Sequence, residues 1–427
     1  MYINQYSKNR ETSLLFLLFL ISLAARIPVV LMYGDETLDH EWKHLVYNLI
    51  VNGQLVYETF DDFLLPNLWM PPLYAYYIYI FSFFGLEGQN FVLLVLFSQV
   101  LLASISVLVF YKINKLLFSR NICFYSSLLF SLFPLHLYAC SQISSISLQI
   151  FFYIFFIYLF FLIKKENKNY LIVIFSILAG LILLLRSEFQ AIFVLSILYM
   201  LLFSKLSIKN FFLILIITLM TISPYLVRNY LIFDKITLTK TFGYNLWKGN
   251  HPYALKNSLV EGSEIFDENL MAQSAKVVDG FVVLDAIPKD KYYRFKYDSF
   301  FLDQALKNIK KDLDGYLIFF FKKIASFLLI DIKSSDPNYY KPVHFLPVLL
   351  LGVSSLVGII FSDKKSYQMN YLILIFFTIA CIFSTVSILP RYKLIILPIQ
   401  IILTNVLIER IGKYWKSKFF LNDGEQN

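Results

Sequence analysis

The sequence predicts an all-α polytopic membrane protein with about ten or eleven spanning helices. Of its 427 residues, 58% are hydrophobic and only 16% are charged, where a soluble domain carries about a quarter charged residues. Mean hydropathy is +0.64. Apolar runs near the length of a membrane crossing recur along the whole chain, and Lys and Arg gather in alternate short loops between them.

The runs 13–33, 91–111, 122–139, 147–163, 170–185, 190–204, 211–227, 345–360, 371–388 and 394–408 are the expected spans. The first lacks the small-residue cleavage site of a signal peptide, so it is expected to stay as an anchor. An eleventh run, 72–85, is short, opens on Pro71-Pro72 and is rich in tyrosine, as an interfacial or re-entrant helix would be. Charge arbitrates between ten and eleven crossings. With ten, Lys8 and Arg10, the loops 112–120, 164–168, 205–209 and 363–366, and the tail with Arg410, Lys413, Lys416 and Lys418 all fall on one side. By the positive-inside rule that side is the cytoplasm, with both termini in it. Much of the net charge of +9 is then topology, which argues against a nucleic-acid partner. Cys123, Cys140 and Cys381 lie in or at the ends of apolar runs and read as core residues, not as a disulfide or metal set. A basic-inside polytopic chain without external disulfides suits a bacterial inner membrane.

The polar groups that topology does not explain are expected on the opposite, external face. They are the first outer loop 34–77, the turn Arg186-Ser187-Glu188, a hydrophilic segment 228–344, and Pro390-Arg391. The chain thus divides into a transmembrane core 1–227 containing that loop, an external cap 228–344, and C-terminal helices with a cytoplasmic tail 345–427. Within the cap, Tyr293, Tyr297, Phe301, Ala305 and Ile309 recur at helical spacing and predict an amphipathic helix.

Candidate chemistry concentrates in the outer loop. Asp35, Glu36, Asp39 and Glu41 crowd beside the membrane, where a partly desolvated carboxylate can act as a general base toward a hydroxyl. The same stretch reads His40-Glu41-Trp42-Lys43-His44, an H-E-x-x-H pattern that would serve a zinc protease if a third ligand existed. A divalent metal is therefore weighed, but no cofactor is firmly expected. Arg186, Arg228 and Arg391, with Arg26 inside the first span, stand on the external side against the usual charge bias. A guanidinium there is a natural phosphate partner, and snorkelling or pairing with Glu188 is the structural alternative. The stretch 243–250 mixes glycines with Asn245, Trp247 and Asn250; it suits a polyhydroxylated ligand and equally suits a plain turn. A lipid-linked glycan transporter or scaffold would need charged or broken helices through the midplane, and the middle helices read as smooth and apolar.

With those residues noted, the chain resembles, nearly end to end, the GT-C membrane glycosyltransferases related to protein O-mannosyltransferases and lipid A aminoarabinose transferases. The resemblance rests on Asp39-x-Glu41-Trp42, Asn48-Leu49, Gly53 and Pro71-Pro72-Leu73-Tyr74. It continues through Phe133-Pro134, Ser141-Gln142-Ile143, Leu185-Arg186, Pro224, Arg228-Asn229-Tyr230, the stretch 243–250, Arg391-Tyr392 and Pro398. It implies a GT-C architecture with interfacial helices in the first outer loop and a small external cap. It implies a polyprenyl-phosphate-linked sugar as donor, a lipid, glycan or protein hydroxyl as acceptor, and inversion at the anomeric carbon on the external face. The family's catalytic acid would fall on Asp39, with Glu41 adjacent and Asp35 or Glu36 as fallback. Arg186 and Arg391, with Arg228 and Tyr392, would meet the donor phosphate; Asn245, Trp247, Asn250 and Tyr74 would face sugar or acceptor. One departure stands out: relatives often place a second acid where this chain has Ser145-Ile146-Ser147, which leaves metal dependence open.

Overall fold

The computed structural model describes residues 2–38, 40–60, 63–166, 168–204, 206–251, 287–330 and 341–422. In chain order these form α1 (Tyr2–Tyr33), α2 (His40–Asn52), the hairpin strands β1 (Val56–Phe60) and β2 (Phe63–Pro66), and α3 (Leu73–Ser82). Then follow α4 (Gly88–Lys115), α5 (Arg120–Leu132), α6 (Pro134–Ala139), α7 (Ile146–Glu166), α8 (Asn169–Leu185), α9 (Phe189–Phe203), α10 (Ile208–Phe233) and α11 (Phe242–Lys248). The last elements are α12 (Tyr293–Lys311), α13 (Leu313–Leu328), α14 (Pro342–Ile360), α15 (Tyr367–Thr385), a 3-10 turn (Pro390–Ile395) and α16 (Leu397–Asn422).

Among the described residues, six helices are long and apolar enough to cross a membrane: 10–33 within α1, α4, α7, α10, α14 and α15. The apolar helices α8 and α9 are shorter, and α3 is shorter still. The expected span 122–139 is broken in two. Pro134 has no N–H to give the Phe130 carbonyl, so the helix cannot run through it. The freed oxygens are taken by side chains: Nη1 of the buried Arg26 donates to Ser131 O at 3.0 Å, and His136 Nδ1 lies 3.0 Å from Phe130 O and 3.1 Å from Arg26 Nη2. Arg26, weighed as a phosphate ligand, is thereby accounted for inside the bundle.

Bundle packing follows membrane logic, in which small residues and interhelical hydrogen bonds replace the hydrophobic effect. α8 crosses α10 at Gly180, where a Cβ would stand 2.5 Å from Thr221 Cβ, and Thr218 Oγ1 donates to Ser176 O at 3.1 Å. α14 meets α16 at Gly358, and Asn405 ties α16 to Asn114 of α4 at 2.9 Å. The Tyr371 ring of α15 stacks on Phe160 of α7 at 3.7 Å and its hydroxyl meets Ser196 of α9 at 2.8 Å.

The segment expected to be hydrophilic between α10 and α14 contains an element that sequence reading missed. α13 is a 16-residue helix, largely apolar, that packs on α15. Its Lys323 is fully buried and donates to Gly249 O (3.2 Å), Asn250 Oδ1 (2.8 Å) and Val386 O (2.8 Å). Its C-terminal carbonyls are capped from outside the helix: Lys393 donates to Ser326 O at 2.7 Å and Leu329 O at 3.1 Å, and Gln400 to Leu328 O at 3.1 Å. Gly249 must be glycine, since a Cβ there would lie 2.0 Å from Val386 O. These contacts lock α11 and α13 to the end of α15.

Burial pulls the Lys323 pKa from 10.5 down to about 7. A group whose folded value lies below its unfolded one gives up its proton first in the native state, so stability should rise as pH climbs from about 7 toward 10. In detergent, the melting temperature of Lys323→Met is expected to lack this rising component relative to wild type; parallel pH profiles for the two proteins would contradict it.

Candidate active site

The outer loop is fixed where it leaves α1. The Asp35 N–H donates to Ser141 O at 2.9 Å, and Asp35 Oδ2 accepts the Ile143 N–H at 2.6 Å. Gln142 of the same turn donates to Tyr33 O at 3.2 Å, while Gln99 of α4 donates to Gln142 O at 3.0 Å and accepts from the Tyr74 hydroxyl at 2.8 Å. Tyr74 also packs edge-on against Trp42 of α2 at 4.7 Å. Asp35 and Tyr74 thus hold one network that joins α1, α2, α3, α4 and the turn between α6 and α7. Burial first, then Tyr77 and Asp35, hold the Tyr74 phenol well above its ordinary pKa. Glu36 is exposed, and Glu41 is half-buried in the first turn of α2, where a carboxylate favours the helix N-terminus. Asp39 and the side chain of His40 lie outside the described residues. His44 is exposed, and among the described residues no three His, Cys, Asp or Glu side chains converge to hold a metal.

Beyond α2 the hairpin joins α12 through an ion pair in which Arg294 is buried and Glu58 half-buried. Glu58 of β1 receives a hydrogen bond from Arg294 of α12, whose guanidinium lies over Trp69 at 4.4 Å and near the rings of Tyr57, Tyr297 and Tyr293. Burial pushes the Glu58 pKa up and Arg294 pulls it back; burial, then Glu41, lifts Tyr57 to about 12. The loop between hairpin and α3 is held by Arg228, which donates to Asn67 O (3.1 Å), Leu55 O (3.1 Å) and Asn229 Oδ1 (2.7 Å). Both terminal nitrogens of this expected phosphate ligand are bonded to protein oxygens.

The stretch 243–250 forms α11 and its end. Trp247, expected to offer a face to a sugar, is buried instead, packed on Phe301 at 4.7 Å and near His251 at 5.5 Å. Asn250 is fully buried and donates to Leu246 O and Thr385 O, both at 2.8 Å. Asn245 is half-buried on α11. The helix forms a small hydrophobic core of its own with Phe301 and Ala305 of α12.

The remaining arginines stand at one end of the bundle. Arg186, just past α8, has Nη1 3.9 Å from Glu188 and borders a small cavity with Gln149, Tyr153, Phe383 and several isoleucines. The turn 390–395 closes that cavity with Ile395, carries Arg391 exposed, and packs Tyr392 on Phe383 at 4.6 Å. This turn also touches α6 and α7, the helices that flank the turn holding Asp35. Asp35, Arg186 and Arg391 therefore gather around the N-terminal end of α7, whereas Arg228, Trp247 and Asn250 belong to the scaffold beside it. Gln149, Tyr153, Lys323 and Arg294 were not singled out in the sequence; only a polar residue recurring on an otherwise apolar helix face marked the first two.

Residues 70–227, from α3 through α10, match the dolichyl-phosphate-mannose-protein mannosyltransferase family. The oligosaccharyltransferase of Archaeoglobus fulgidus, tethered with an acceptor peptide containing the NVT sequon, superimposes on 96% of the chain with a TM-score of 0.57 and 14% identity. The chain has the GT-C fold. The apo form of that oligosaccharyltransferase gives 0.56 over 97% at 13% identity, and its complex with Zn and sulfate 0.53 over 94% at 13%. The chain spans about half the length of this GT-C neighbour: 50% of the tethered form, 52% of the apo form and 49% of the complex. ArnT from Cupriavidus metallidurans, in the apo state, matches 93% of the chain and 77% of its own at 13% identity, but its TM-score of 0.38 carries no argument. No curated protein matches the chain by sequence.

Arg294→Ala should strip Glu58 of its partner and the aromatic rings of their cation, at a cost of about 2 kcal/mol. Thermal unfolding of the single variant and of Glu58→Gln/Arg294→Met checks this: the double variant should recover part of the loss, and additive losses would contradict the pairing.

Proposed function

We propose that the protein is a glycosyltransferase that moves a sugar from a polyprenyl-phosphate donor to a hydroxyl acceptor at the external face of a bacterial inner membrane. The observation that carries this reading is the gathering of outer-loop carboxylate and arginines at one end of a GT-C bundle. Residues 1–227 would form the catalytic core and 228–344 a cap on its outer face.

Asp39 is assigned as general base, with Glu41 beside it. Asp35 has its Oδ2 bonded to the Ile143 N–H and is assigned to anchoring the loop that presents them. The base takes the acceptor proton as the hydroxyl oxygen attacks the anomeric carbon from the side opposite the phosphate. The new C–O bond forms as the bond to the phosphate oxygen breaks, so configuration inverts, and the lipid phosphate leaves as an anion. Arg186 and Arg391 face the charge that grows on it, and such preorganised donors contribute several kcal/mol to a transition state. Tyr392 supports Arg391 through its stack on Phe383.

The test is transfer of label from a panel of radiolabelled polyprenyl-phosphate sugars to a membrane extract by purified protein in detergent. Asp39→Asn should lower turnover by about a hundredfold or more while leaving the protein folded. Full activity in Asp39→Asn with loss in Glu41→Gln would move the base to Glu41. Absence of transfer by folded wild type with every donor would overturn the reading.

A further inference from the structure

The cavity at Arg186 holds a set of polar atoms that the fold leaves unmatched. Gln149 and Tyr153 stand one turn apart on α7 and are 4% and 3% exposed. Gln149 Oε1, Tyr153 OH and Arg186 Nε are buried, and none meets a hydrogen-bond partner among the described residues. All three residues line the same cavity. Leaving a buried polar atom unpaired is unfavourable, and Leu or Phe would fill these positions on α7 without that penalty. The rest of the lining is isoleucine, Phe189 and Phe383, together with the Glu188 carboxylate that stands 3.9 Å from Arg186 Nη1, and none of these calls for an amide and a phenol on α7.

Their chemistry indicates what would satisfy them. A guanidinium and a phenol both donate, which suits phosphate oxygens; an amide both donates and accepts, which suits a hydroxyl. The apolar wall suits the start of an alkyl chain. Ile382 belongs both to this wall and to a mostly apolar stripe along one face of α15, from Asn370 to Thr385. We infer that Gln149 and Tyr153 join Arg186 in binding the sugar-phosphate head of a lipid-linked donor, Tyr153 donating to a phosphate oxygen and Gln149 engaging a sugar hydroxyl. This rests on the transferase reading above and assigns it two further binding residues.

The cavity measures about 10 Å³, space for a single water. A head group therefore enters only as the wall opens at Arg186 and Glu188, whose side chains are 17% and 27% exposed. A water that merely bridges the polar atoms is the rival occupant, and it makes a different prediction.

Two isosteric variants separate the cases, Tyr153→Phe and Gln149→Leu, each read by donor KM, by kcat and by thermal protection. Each should raise donor KM about tenfold, the worth of one good hydrogen bond, with kcat changed far less. Protection arms use short-chain polyprenyl phosphate, phosphatidic acid and inorganic phosphate as probes. The polyprenyl phosphate should raise the wild-type melting temperature, and Tyr153→Phe should lose most of that rise. This arm needs no turnover, so it decides the inference even if wild type transfers nothing, which would sink the transferase reading alone. Unchanged KM and unchanged protection in both variants would assign the cavity to water and overturn the inference. So would equal protection by phosphatidic acid or by inorganic phosphate, which would mark a general phosphate site, and so would absence of protection of wild type by any probe.

Discussion

Carbonyl oxygens that no helix can satisfy, and the cations that reach them, are what this fold depends on. In a bilayer every backbone polar group must find its partner within the protein. At four places where the backbone lacks a partner of its own, a basic side chain closes the gap, with amides such as Gln400 and Asn250 beside them. Arg26 serves the break before Pro134, Lys323 the ends of α11 and α15, Lys393 the end of α13, and Arg228 the loop around Asn67. All four face mainly backbone oxygen, so each serves the structure, Lys323 with a pKa that burial has pulled down to about 7. A carbonyl dipole holds a cation without the second desolvated ion that a carboxylate partner would bring.

This explains both how far the sequence could be read and where reading stopped. Apolar length and loop charge suffice to locate spans such as α4, α7 and α15, because the bilayer imposes one periodic requirement on all of them. The break at Pro134 was visible as Phe133-Pro134, yet its consequence for Arg26, more than a hundred positions away, was not. Arginines were counted as phosphate ligands on charge bias, guanidinium chemistry and family resemblance, and none of these can tell an arginine facing a ligand from one facing Leu55 O. Trp247 misled for a related reason: glycine, amide and aromatic together describe a sugar platform and also a tight helical knot around Gly249. α13 escaped notice because Lys322 and Lys323 interrupt its apolar pattern, and only the fold reveals that one of them is buried.

What unites the candidate site is α7. Its N-terminal end follows the turn that fixes Asp35, its first two turns carry Gln149 and Tyr153, and the turn bearing Arg391 rests against it. Carboxylate, amide, phenol and guanidinium are thus referred to one rigid helix rather than to independent loops. Catalytic geometry tolerates little slack, so a shared axis is a physical advantage for a reaction that needs base and leaving-group partner on opposite sides of one carbon.

The Phe383 ring carries a further implication. It is stacked between Phe327 of α13 at 5.6 Å and Tyr392 at 4.6 Å, and its remaining edge lines the Arg186 cavity. Stacked rings transmit displacement because close-packed interiors have no void to absorb it. α13 and the Arg186 cavity therefore share one ring, so a displacement of α13 would reach the cavity through Phe383.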